Sequence, residues 1–65
     1  MEIFVNGEKR TVGPMSVAAL LETVGIDARR VAVELNLEIL PKTDYGSTLL
    51  QEGDRLEVVH FVGGG

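Results

Sequence analysis

The sequence predicts an α+β domain in which four to five short strands form a sheet covered on one face by a single helix. Two observations carry this. Apolar residues alternate with period two at the start of the chain and again around residue 33, with a further β-prone stretch over 55–62, while only one stretch, near residue 20, carries a period of three to four. The order that follows is strand, strand, helix, strand, short strand, strand. One helix covers only one face of such a sheet, so each strand is expected to have an apolar side and a wetter side.

Met1, Ile3 and Val5 alternate with Glu2, Phe4 and Asn6, which predicts the first strand. Asn6-Gly7 follows, the dipeptide that best tolerates the positive φ angles of a type I′ hairpin turn. The second strand is expected over residues 8–12, where Gly13-Pro14 stops it. Ser16 then stands before Val17, Leu20, Leu21 and Val24, an i, i+3, i+4, i+7 stripe that predicts a helix over 16–24. Ser16 suits the N-cap, Met15 can staple onto Leu20, and Gly25-Ile26 suit a Schellman ending that closes over Leu21.

Val31, Val33 and Leu35 predict the third strand, and Ile39-Leu40 before Pro41 a short return strand. Residues 42–52 show no clean period. Thr43, Asp44, Gly46 and Ser47 point to a loop with room for one helical turn, pinned to the core by Tyr45, Leu49 and Leu50. Gly53-Asp54 makes the next turn, and residues 55–62 form the most β-prone stretch. The first 62 residues are therefore expected to form one domain, with Gly63, Gly64 and Gly65 as a flexible tail.

Composition narrows the function. A chain of 65 residues buries only about 60% of its unfolded surface. It has no cysteine, and its one histidine, His60, cannot assemble a zinc cluster. The core must hold the fold alone, for which 45% hydrophobic residues are adequate. A net charge of -4 opposes phosphate backbones and anionic lipid, and the six basic residues are scattered. Neither a signal peptide nor a membrane span is visible, so a cytoplasmic location is expected.

No catalytic constellation stands out. His60 reads as a half-exposed structural residue on a terminal strand, and the pair Arg29-Arg30 as solvated. Asp44, Ser47 and Asp54 read as turn and capping side chains. Gly7, Gly13, Gly25, Gly46 and Gly53 fall at predicted element ends, and no phosphate-loop pattern is present. The last three glycines are different. They have no packing role, carry no Cβ to obstruct a narrow channel, and with Val62 can extend about 14 Å from the fold.

One further feature breaks the strand pattern. Leu56 and Val58 share the inward parity of the last strand, yet Val59 and Phe61 fall on the other, and Phe4 is likewise out of step with Ile3 and Val5. Two readings compete: strand twist and the long loop bury these side chains in a secondary cluster, or Phe4, Val59 and Phe61 form an uncovered patch for a partner protein.

At this point the sequence resembles the ubiquitin-like β-grasp sulfur carriers, and among them the ThiS family of thiamine biosynthesis, over essentially its whole length. The resemblance is carried by Ile3-Phe4-Val5-Asn6-Gly7, Leu20-Leu21, Val31-Ala32-Val33-Glu34-Leu35-Asn36 and Ile39-Leu40-Pro41-Lys42. The most diagnostic stretch runs from Leu50-Gln51-Glu52-Gly53-Asp54-Arg55 through Leu56-Glu57-Val58-Val59 to Phe61-Val62-Gly63-Gly64-Gly65. Tyr45 stands where some relatives carry a larger aromatic, and Gly63 adds a third glycine; neither departure touches the terminal pair.

The resemblance implies a mixed sheet in the β-grasp arrangement and a protein cosubstrate rather than an enzyme. It implies that an E1-like adenylyltransferase of the ThiF type, using ATP and magnesium, activates the Gly65 carboxylate, with Gly63 and Gly64 recognised as the tail. A persulfide donor would then leave a thiocarboxylate that supplies sulfur to a thiazole synthase of the ThiG type. No cofactor bound by the chain itself is implied. The nearest rivals are the small subunit of molybdopterin synthase, which shares the chemistry, and a modifier joined to lysine. A β-grasp binding module resembling TGS domains would use its surface instead of its terminus.

Overall fold

A computed structural model describes residues 1–61. Its elements follow the expected order: β1 (Glu2–Val5), β2 (Glu8–Thr11), α1 (Val17–Thr23), β3 (Val31–Leu35), β4 (Glu38–Leu40) and β5 (Arg55–His60), with 3-10 turns over Ala28–Arg30 and Lys42–Asp44. The first of those two turns has no counterpart in the sequence reading. The expected division between domain and tail lies outside the described residues.

The strands form one mixed sheet in the order β2-β1-β5-β3-β4. β1 and β5 run parallel at its centre and every other pair is antiparallel. The β1–β2 hairpin turns on Asn6 at φ 50 and Gly7 at φ 82, the type I′ geometry that Asn-Gly favours. β3 and β4 are joined through Asn36 at φ 52 and Leu37 at φ 72. A leucine with that backbone is unusual, because its Cβ crowds the following carbonyl.

α1 has the predicted caps. The Ser16 hydroxyl accepts a hydrogen bond from the Ala19 amide at 3.1 Å. At the other end Gly25, at φ 77, donates to the Glu22 carbonyl and Ile26 donates to that of Leu21, which is the Schellman pair. The first-turn amides find partners far away in sequence. Val17 donates to the Thr48 carbonyl and Ala18 to that of Tyr45, both at 2.9 Å, so the aperiodic loop caps the helix.

Val17, Leu20 and Leu21 of the helix pack against Ile3, Val31, Val33, Leu56 and Val58 of the sheet, and Tyr45 and Leu50 close the edge of this core. Leu49 is the exception to the expected anchoring. It is 68% exposed, because its backbone bridges to Ser16 while its neighbour Leu50 takes the inward position. The helix-facing side of the sheet is thus filled. Its opposite side is covered by no element among the described residues.

Candidate functional site

β5 leads toward the C-terminus, and its neighbours fix it from both sides. On the β1 side, the Asn6 side chain donates to the Val58 carbonyl at 3.2 Å and accepts from the Val58 amide at 2.7 Å. A single carboxamide therefore continues the β1–β5 ladder after β1 has turned away. On the β3 side, the Asn36 side chain accepts from the Arg55 amide at 3.0 Å and donates to Asp54. The two hairpin asparagines serve both their own turns and the strand between them.

The uncovered side of the sheet carries Phe4 from β1, Arg55, Glu57 and Val59 from β5, Ala32 and Glu34 from β3, and Ile39 from β4. Of the proposed patch, Val59 is 59% and Phe61 58% exposed, and Phe4 is partly buried. A secondary cluster that hides all three is therefore absent among the described residues. Arg55 lies over the Phe4 ring at 4.4 Å and Lys42 over the Phe61 ring at 4.9 Å. Each aromatic is thus paired with a cation that holds the ring in place; Phe61 stays exposed, whereas Phe4 is partly buried.

Sequence reading missed part of this face. Ile39 is 69% exposed and stands opposite Glu34, which stands opposite Glu57, so one row crosses three strands. Two carboxylates directly across a strand pair repel one another. The signal was present in the parity of each strand but needed the register to be combined.

The remaining candidates have structural positions. His60 is exposed, at the end of β5 opposite Val31. Asp54 accepts from the Gln51 amide at 2.8 Å, as a turn residue does. At Asp44 it is the backbone carbonyl, not the carboxylate, that accepts from Ser47 and Thr48. Arg29 and Arg30 are exposed, and both pair with Asp27, at 2.9 and 3.7 Å. Gly63, Gly64 and Gly65 lie outside the described residues.

A five-stranded mixed sheet crossed by one helix, with parallel terminal strands at its centre, defines the ubiquitin-like β-grasp class. The solved structure of the thiamine biosynthesis protein ThiS from Geobacter metallireducens superposes with a TM-score of 0.84 at 36% identity, each chain covered over 100% of its length. The family model for the ThiS family matches residues 3–65, and the chain belongs to that family.

Two curated relatives place it further. It is 33% identical over 63 residues to the sulfur carrier protein ThiS of Thermus thermophilus, covering 97% of this chain and 98% of that one. It is also 50% identical over 66 residues to a thiazole synthase of Paramagnetospirillum magneticum, covering 100% of this chain and 20% of that protein. The chain thus spans about a fifth of the length of the first curated relatives it matches.

Proposed function

We propose that the chain is a sulfur carrier of thiamine biosynthesis, working in the cytoplasm, whose reactive group is the carboxylate of Gly65. The observation that carries this reading is the match to the ThiS family, which extends from residue 3 through the terminal glycines. A carboxylate is a poor electrophile, so it must first be activated. An E1-like adenylating enzyme supplies magnesium-bound ATP; the Gly65 carboxylate attacks the α-phosphorus, pyrophosphate leaves, and an acyl-adenylate forms.

The terminal sulfur of a protein persulfide then attacks the acyl carbon and AMP departs. A thiol cleaves the resulting acyl disulfide and becomes oxidised to a disulfide with the donor, leaving a C-terminal thiocarboxylate. The absence of cysteine means that no thiol of the chain itself competes for the activated acyl group. The carrier is a cosubstrate, and Gly63 and Gly64 let the terminus pass a narrow channel without a Cβ.

The partner that receives the sulfur is read as a thiazole synthase. In support, relatives of that name contain a segment 50% and 41% identical to the whole of this chain, which favours thiazole over a pterin acceptor. The face bearing the exposed Val59 and Phe61, with the partly buried Phe4 beside them, is the docking surface for the partners in this reading, since exposed aromatic and aliphatic side chains are the usual anchors of such contacts.

Incubation with the adenylating enzyme, ATP and a persulfide source is expected to exchange one carboxylate oxygen for sulfur, read in the intact mass. Removal of Gly65 is expected to abolish the exchange. A full-length chain that never gains sulfur under these conditions overturns the reading.

A further inference from the structure

Three contacts converge where the last described residue leaves the sheet. The Phe61 amide donates to the Arg30 carbonyl at 3.0 Å. The Lys42 ammonium donates to the adjacent Arg29 carbonyl at 2.8 Å and stands over the Phe61 ring at 4.9 Å. Two successive carbonyls of the 3-10 turn Ala28–Arg30 therefore hold the end of the chain from two directions, one through its backbone and one through its side chain. Asp27 keeps that turn in shape by accepting from the Arg29 amide at 2.9 Å.

In the carrier reading, four residues follow Phe61 up to and including Gly65, whose carboxylate is the reactive group. A contact that holds Phe61 fixes the point from which those residues start, so that less freedom is lost when a partner takes up the carboxylate.

We propose that Lys42 is a positioning residue for the tail, acting through Phe61: its ammonium ties the aromatic ring to the Arg29 carbonyl and so fixes the direction in which the chain departs. This rests on the carrier reading given above, because direction matters only if the terminus must reach a partner's active site. A lysine serves here where an aliphatic residue would not, since it bonds a carbonyl and attracts the face of a ring with the same group.

The test uses the full chain with Lys42→Met, Lys42→Arg, Phe61→Leu and the Lys42→Met/Phe61→Leu double variant. In the isolated protein, Lys42→Met is expected to speed hydrogen exchange of the Phe61 amide several-fold, and Lys42→Arg to restore protection. With magnesium-ATP and the adenylating enzyme, Lys42→Met is expected to raise KM for the carrier about 3–10-fold with kcat nearly unchanged, because fewer free molecules hold the competent direction.

Lys42→Arg is expected to lie within about twofold of the parent, and the effects of Lys42→Met and Phe61→Leu to be non-additive. Unchanged exchange at Phe61 overturns the proposal, as does a KM effect that adds fully to that of Phe61→Leu, which marks Lys42 as contacting the enzyme directly. Failure of the parent chain to be adenylated at all overturns the carrier reading instead, while the exchange measurement still decides whether Lys42 holds Phe61.

Discussion

Asp27 shows how much one side chain can organise. Its Oδ1 accepts from the Arg29 amide and Nε, and its Oδ2 from the Arg29 Nη2 at 2.9 Å. These hydrogen bonds, with the positive charges of Arg29 and Arg30, lower its pKa from 3.8 to about 2. A carboxylate lowered in the folded state adds stability that is fully present above its unfolded pKa and is lost as pH falls through the folded one. Carboxyl NMR titration is expected to give a midpoint near 2, and Asp27→Asn to remove this part of the acid-induced decline between pH 3.8 and about 2. The group is accessible to water, so the effect on unfolding is small. Tyr45 presents the opposite case. It is buried, and its hydroxyl has no hydrogen-bond partner among the described residues. A buried, unbonded hydroxyl carries a desolvation cost. Tyr45→Phe is therefore expected to raise stability by about 1 kcal/mol in urea unfolding, by removing that cost while keeping the ring.

At the scale of the element, β5 depends on side chains of its neighbours as well as on their backbones. β1 pairs with it only through Phe4–Arg55 and Val5–Leu56 before turning away. The Asn6 carboxamide then supplies the next pair of ladder bonds, to Val58. Asn6 also holds φ 50, which glycine adopts without strain. Asn6→Gly thus keeps the turn and deletes the clamp. It is expected to cost about 1–2 kcal/mol in denaturant unfolding, with faster exchange of the Val58 amide. Unchanged protection at Val58 would show that the turn alone positions the strand.

For the molecule as a whole, the division of labour lies between the two faces of the sheet. One face buries Ile3, Val31, Val33, Leu56 and Val58 under the helix and sets stability. The other leaves Ile39, Val59 and Phe61 in solvent, and stability gains little from them. Val59→Thr, which keeps the β-branched shape, is accordingly expected to leave stability within about 0.5 kcal/mol of the parent while weakening capture by the adenylating enzyme or the synthase about threefold or more. A binding curve that coincides with the parent's would remove Val59 from the docking surface. The Glu34–Glu57 pair on the same face is consistent with a surface not shaped for stability alone, since like charges there oppose pairing of β3 with β5.

Local signals in the sequence determined most of this. Ser16, Gly25 and Ile26 fixed the ends of α1, because caps act over four or five residues and carry distinctive side chains. Asn6-Gly7 fixed the first hairpin, and parity separated Ile3, Leu56 and Val58 from Phe4, Val59 and Phe61. Gly63, Gly64 and Gly65, with the resemblance to the ThiS family, are the basis of the proposed chemistry and lie outside the described residues.

What tertiary structure decided was everything that depends on residues distant in sequence. The loop over 42–52 has no period of its own because its order comes from capping α1 through the carbonyls of Tyr45 and Thr48, and this turned Leu49 outward. Ile39 joined the exposed face only once β4 took its register on β3. The placement of Lys42 between Arg29 and Phe61 required three separate segments to meet. Short-range propensity and periodicity are properties of neighbouring residues, whereas register, loop anchoring and long-range side-chain contacts exist only after the chain has closed upon itself.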